Sequence, residues 1–98
     1  MNINIEKENG VTVLKIEGRL DTTTAPELEK AINDEGEALK NLVLDFKGVD
    51  YISSAGLRVL LTAQKKMNVQ GHMELVNVSE VVMDIFEMTG FADILVIK

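Results

Sequence analysis

The sequence predicts an α/β domain with a mixed β-sheet, and three observations carry that expectation. Asn9-Gly10 is a strong hairpin signal between two strand-like segments near the start. After it, short β-rich runs alternate with helical patterns, the order that produces parallel strands joined by crossover helices. The length of 98 residues suits one core and is too short for two, so residues 1–98 are read as one domain.

Each element has its own grounds. Ile3 and Ile5 alternate with Asn4 and Glu6, and Val11 to Glu17 is rich in β-branched residues. Asn and Gly both tolerate positive φ, so these two strands are expected to pair antiparallel. Gly18-Arg19-Leu20-Asp21 is read as leaving the sheet. Thr23 or Thr24 then caps a helix with Pro26 and Glu27 in its first turn and Leu28, Ala31 and Ile32 along its buried stripe. Asn33-Asp34-Glu35-Gly36 ends it.

Leu42-Val43-Leu44-Asp45-Phe46 is a nearly continuous apolar run, as in a central strand, and Lys47-Gly48-Val49-Asp50 reads as loop. The next helix is expected from Ser54 to Met67, with Leu57, Leu60, Leu61 and Met67 inward. Asn68 to Gly71 stops it. Met73 to Val76 makes a fourth strand. Ser79-Glu80 opens a third helix with Val82, Ile85, Phe86 and Met88 inward and Gly90 at the C′ position. Ile94 to Ile97 is expected to close the sheet as a last strand.

Composition removes several function classes. With no Cys, disulfides and thiolate chemistry are excluded, and an intracellular setting fits. His72 is the only imidazole, so a Cys/His metal site is excluded, and its place at the far end of the helix from the serines argues against a catalytic triad. Ser54-Ala55-Gly56 is no nucleophile elbow, because position 52 is Ile where that motif needs Gly. Asp45, at a strand end, lacks the acidic cluster that a magnesium-dependent phosphoacceptor requires. No enzyme activity, cofactor or metal is expected. A net charge of −6 disfavours nucleic acid and anionic membrane as partners. The N-terminal residues lack a signal-peptide pattern, and no apolar run reaches membrane-spanning length. The expectation is a cytoplasmic, monomeric domain.

Asp50-Tyr51-Ile52-Ser53-Ser54-Ala55-Gly56-Leu57-Arg58 is the stretch with chemical potential. The two serines fall at the mouth of a helix, where free N–H groups and the positive end of the dipole favour a phosphate. Ser53 is read as the N-cap, its oxygen accepting an N–H of the first turn, and Ser54 as an outward N1 residue. Both also read simply as cap and turn residues. A glycine at 56 costs helix stability, so either a neighbouring backbone packs there or something approaches the helix mouth closely. Parallel strands would bring Asp21 to Thr24, Ser53-Ser54 and Asn77 to Ser79 to one sheet edge. Asp21 could there turn the loop, orient a serine hydroxyl or meet a basic partner group, with Thr22 and Thr23 as a hydrogen-bonding rim.

Three motifs in this spacing, Gly18-Arg19-Leu20-Asp21, Ser53-Ser54-Ala55-Gly56-Leu57 and Phe86-Glu87-Met88-Thr89-Gly90-Phe91, resemble the STAS domain, specifically bacterial anti-sigma factor antagonists. The resemblance covers essentially the whole chain. It implies a STAS-like sheet packed with about three main helices. It also implies a phosphorylatable protein-binding switch that, unphosphorylated, binds an anti-sigma factor serine kinase and frees the sigma factor, with a PP2C-type phosphatase to reset it. Ser54 matches the acceptor serine, Asp21 the loop acid, and Gly56 and Leu57 the helix start. Asp21, Thr22, Thr23, Ser53, Gly56, Leu57 and Arg58 are the implied partner-binding set. Ser53 stands where the family motif usually has Asp, and Ala55 where it has Ser or Thr, so Ser53 is a rival acceptor. The family also includes subunits of anion- and lipid-transport assemblies, which is the alternative reading.

Overall fold

Asn9 and Gly10 both adopt positive φ, 53° and 80°, and turn the chain back on itself between strands β1 (Asn2–Glu8) and β2 (Val11–Leu20). The two strands pair antiparallel from Asn2↔Glu17 to Glu8↔Val11. The computed structural model describes all residues, Met1–Lys98. Helix α1 (Ala25–Asp34) leads to β3 (Asn41–Ile52), helix α2 (Ser54–Gln70) to β4 (His72–Val76), and helix α3 (Glu80–Thr89) follows. The strands β2, β3 and β4 run parallel, giving a four-stranded sheet in the order β1-β2-β3-β4. Short 3₁₀ turns at Gly36–Ala38 and Phe91–Asp93 complete the chain.

Alternation along the strands puts the core on one face of the sheet. Leu14 and Ile16 of β2, Leu42, Leu44 and Phe46 of β3, and Met73 and Leu75 of β4 are buried against Leu28 and Ile32 of α1, Leu60 and Met67 of α2, and Val82 and Phe86 of α3. Val13, Lys15, Val43 and Asp45, one position out of step, look to the open face. Each large side chain so buried contributes about 1.5–3 kcal/mol relative to exposure. The Phe46 and Phe86 rings pack tilted with centroids 6.4 Å apart, which fastens α3 to β3.

The expected mixed sheet, hairpin and crossovers are present, but several boundaries differ. β2 continues through Gly18-Arg19-Leu20, and β3 continues through the segment expected as a loop, Lys47 to Asp50, as far as Ile52. The register explains why the pattern misled. Between the pairs Lys15↔Asp45 and Arg19↔Tyr51, β2 advances four residues and β3 advances six. The extra residues of β3 are bulges, and they break the alternation that marks a strand. Gly48 belongs to this irregularity, because a Cβ there would lie 2.7 Å from Glu17 Cγ and 3.0 Å from Ile16 O.

α2 runs to Gln70, beyond the expected Met67, and the Gln70 amide ties this last turn to the core side by donating to the Leu39 carbonyl at 2.7 Å. The expected last strand, Ile94 to Ile97, is reduced to a single parallel bridge, Leu75↔Ile97. The 3₁₀ turn and a helical Ile94 use up the residues a longer strand would need. Met88 does not face inward. The buried side of α3 is set by Val82 and Phe86, and a residue two positions on from Phe86 is turned about 200° away.

Candidate functional site

Leu20 and Ile52 are paired neighbours at the ends of β2 and β3, so the segments that follow them emerge side by side. The Ser53 N–H donates to the Leu20 carbonyl at 2.9 Å, which locks the entrance of α2 onto the end of β2. From there Asp21 to Thr24 and Ser53 to Arg58 form one corner of the molecule. Asn77 to Ser79 does not join it. β4 ends opposite Asp45, and the Asn77 side chain donates to Asp45 Oδ1 at 3.1 Å, so this segment meets β3 well before its end. Ser79 is instead the N-cap of α3, accepting the Val82 N–H at 3.2 Å.

Within the corner, Ser53 has the extended backbone of an N-cap, and its carbonyl accepts the first intrahelical bond, from the Leu57 N–H at 2.9 Å. Its side chain does not cap. Ser53 Oγ is buried and has no hydrogen-bond partner. The expected side-chain cap is therefore replaced by a backbone anchor, because the Ser53 hydroxyl turns inward instead of over the first turn. Ser54, one residue on, is exposed at N1. The N–H groups of Ser54, Ala55 and Gly56 precede the first intrahelical bond and remain available. No acidic residue lies in this first turn.

Gly56 is buried against the sheet. A Cβ there would lie 2.8 Å from Leu20 Cγ, 2.8 Å from Ile52 Cγ1 and 2.9 Å from Leu20 O. Of the two reasons offered for a glycine here, close packing of a neighbouring backbone is the one present. Leu57 also turns into the core. Of the expected contact residues, Thr22, Thr23 and Arg58 are exposed and Asp21 is half-buried, whereas Gly56 and Leu57 hold the helix in place from beneath.

Asp21 organises the adjoining loop and does not reach a serine. Its Oδ1 accepts the N–H groups of Thr23 at 3.0 Å and Thr24 at 3.2 Å, and its own N–H donates to Thr24 Oγ1 at 2.9 Å. The Thr24 hydroxyl donates to the Arg19 carbonyl at 2.6 Å. Thr24 is the residue before α1, yet it does not cap the helix through its side chain, because its Oγ1 is turned back to accept the Asp21 N–H and donate to the Arg19 carbonyl, and Thr23 stands one position before the N-cap. The Thr24 N–H foremost holds the Asp21 carboxyl below its usual value of 3.8 against the opposing effect of desolvation. The Thr23 N–H, the Thr24 hydroxyl and the Arg19 charge add to it.

A cross-strand stack borders the corner that the sequence did not reveal. The Arg19 guanidinium lies over the Tyr51 ring, 4.2 Å from its centroid, and Arg19 Nε is 3.7 Å from Asp21 Oδ2. No spacing in the sequence marks Arg19 and Tyr51 as neighbours, since their pairing depends on the bulges of β3. On the other side, a shallow groove of about 270 Å³ between the starts of α1 and α2 is lined by Thr22, Pro26, Glu29, Ala55, Arg58 and Thr62. Its size suits one or two side chains of a partner. An exposed hydroxyl among free N–H groups, with a loop ordered by Asp21 beside it, can accept a covalent anion and display it on a surface.

Comparison with known proteins agrees with this geometry. A family model described as STAS domain matches residues 2–98. BtrV of Bordetella bronchiseptica, named as a candidate anti-sigma factor antagonist, is 36% identical over 98 residues, covering 96% of this chain and 83% of that protein. The anti-sigma-B factor antagonist of Bacillus subtilis is 35% identical, covering 97% of this chain and 90% of that protein. The crystal structure of a candidate anti-sigma factor antagonist from Thermotoga maritima superposes with a TM-score of 0.90 at 22% identity, over 97% of this chain and 84% of the other, a likeness of fold.

Proposed function

The chain belongs to the STAS domain family, and we propose that it acts there as an anti-sigma factor antagonist, a binding switch set by the phosphorylation state of Ser54. Unphosphorylated, it docks an anti-sigma factor serine kinase through the corner built by Thr22, Thr23, Asp21 and Arg58, and the sigma factor is released. The kinase transfers the γ-phosphoryl group of ATP to Ser54 Oγ, whose proton is lost as ADP leaves. A PP2C-type phosphatase hydrolyses the ester and restores the docking surface. The antagonist reading is favoured over a transport-assembly subunit because relatives at 31–36% identity carry the antagonist name. No helix is long and apolar enough to cross a membrane, and the switch is assigned to the cytoplasm with its partners.

One observation carries the choice of acceptor: Ser54 is exposed, whereas Ser53 Oγ is buried. A kinase must bring the hydroxyl in line with the γ-phosphorus, which Ser54 permits without unfolding the helix mouth. Asp21 is not placed as a base for this transfer, since its carboxylate is engaged by Thr23, Thr24 and Arg19.

The phosphate adds about −1.5 to −2 charges, while its attraction to an exposed helix end is worth only about 0.3–1 kcal/mol. The fold should therefore change little. Docking should suffer far more, because desolvating an unpaired dianion at an interface costs several kcal/mol, about two to three decades in affinity. Mass spectrometry after incubation with the anti-sigma kinase and ATP, alongside calorimetric binding, tests this. Phosphate on Ser54, its loss in Ser54→Ala and retained binding by Ser54→Ala are expected. Phosphate on Ser53 or a threonine, or equal affinity before and after phosphorylation, would reject the mechanism.

A further inference from the structure

We propose that the outer face of α3 is a second docking surface, built for a basic amphipathic segment of a partner protein and independent of the Ser54 switch. Val81, Ile85 and Met88 recur at i, i+4 and i+7 and so form one stripe along the helix. Val81 is 59% and Met88 85% exposed, and Ile85 between them is half-buried, its inner side packed against the core as expected. Single exposed apolar residues need no explanation, but an aligned stripe over two turns does.

The charges beside the stripe indicate what covers it. Glu80, Asp84 and Glu87 repeat the same spacing one position over, making an acidic row parallel to the apolar one. None of them forms an ion pair. No Lys, Arg or His lies between His72 and Lys98, a stretch that also holds Glu74 and Asp93. Like charges at i, i+4 oppose helix formation, so this row is unfavourable until cations meet it. A second copy of the chain would set the row against itself, and anionic lipid or nucleic acid would be repelled in the same way. A protein segment with apolar residues along one side and Lys or Arg beside them satisfies both rows together.

Amide chemical-shift mapping tests the inference with a synthetic leucine–lysine amphipathic helix as probe and a leucine–glutamate helix of the same apolar pattern as control. Perturbations should centre on residues 80–89 for the basic probe and be absent for the acidic one. Val81→Ser with Met88→Ser, and separately Glu80→Lys with Glu87→Lys, should each weaken binding about tenfold or more, the change expected when about 1.4 kcal/mol is lost. These positions are exposed, and a melting curve checks that each variant stays folded. Ser54→Asp should leave the affinity unchanged, which separates this surface from the switch whether or not the switch itself is upheld. Equal binding of the acidic helix, perturbations elsewhere, self-association on sedimentation or partition onto phosphatidylglycerol vesicles would each overturn the proposal.

Discussion

Replacing Gly56 with Ala sets two effects of opposite sign against each other. On helix propensity alone, Ala in place of Gly within α2 should stabilise by about 1 kcal/mol. The surroundings of Gly56 oppose that gain. The new methyl would lie 2.8 Å from Leu20 Cγ and Ile52 Cγ1 and 2.9 Å from Leu20 O, inside contact distance of all three. Two of those are side-chain atoms that can shift, but the third is a backbone carbonyl held by the Ser53 N–H at 2.9 Å. Moving it means lengthening the bond that fixes the helix entrance. Overpacking of this kind costs about 1–3 kcal/mol. With the carbonyl immobile, the upper part of that range applies, leaving a net loss of about 1–2 kcal/mol. For a domain of this length that is a fall of about 5–15 °C in Tm, measured by circular dichroism and checked by urea unfolding. Ser54 should shift with the helix, and its phosphorylation should slow. A raised Tm would refute the packing argument and return Gly56 to the status of an ordinary helix position.

Ser53→Ala should leave stability unchanged or raise it, because the hydroxyl removed is buried without a partner, and such a group costs about 1–3 kcal/mol. A loss of about 0.5–2 kcal/mol in urea unfolding would instead mean that the side chain caps the helix after all. Asp21 should give the protein an acid-sensitive term. Its folded pKa is depressed, so its contribution is fully present above the ordinary value of 3.8 and is lost as pH falls through the lower folded value. Urea titrations across the acid range should show Asp21→Asn with a flatter decline than the parent, and an identical decline would count against the Thr24 and Thr23 hydrogen bonds as its cause.

Much of the fold was legible because its signals are local. Asn9-Gly10 specifies a turn through two residues that accept positive φ, and Ser79 with Gly90 marks both ends of α3. What stayed hidden depends on partners distant in sequence. Lys47-Gly48-Val49-Asp50 looks like loop because bulges against β2 destroy its alternation, and only the pairing with Glu17 and Gly18 makes it strand. The site was half legible for the same reason. The exposed Ser54 follows from its place at N1, which local sequence sets. The inward turn of Ser53, the use of Asp21 as a loop organiser and the Arg19–Tyr51 stack all require knowing what stands opposite.

The two extra residues of β3 also carry a counting rule. In an extended chain every inserted residue exchanges inside for outside, so one bulge reverses the phase of everything downstream and a second restores it. Phe46, Val49 and Ile52 are buried in turn because the phase is reversed and then restored between them. Ile52, in the restored phase, pairs with Leu20 and lies beneath Gly56, so the even number of insertions sets the seat of α2. A single-residue deletion between Asp45 and Tyr51 would turn Ile52 out of the core and unseat the entrance of α2. The seat of α2 is thus stored as a parity in the strand before it, and length changes there are constrained in steps of two.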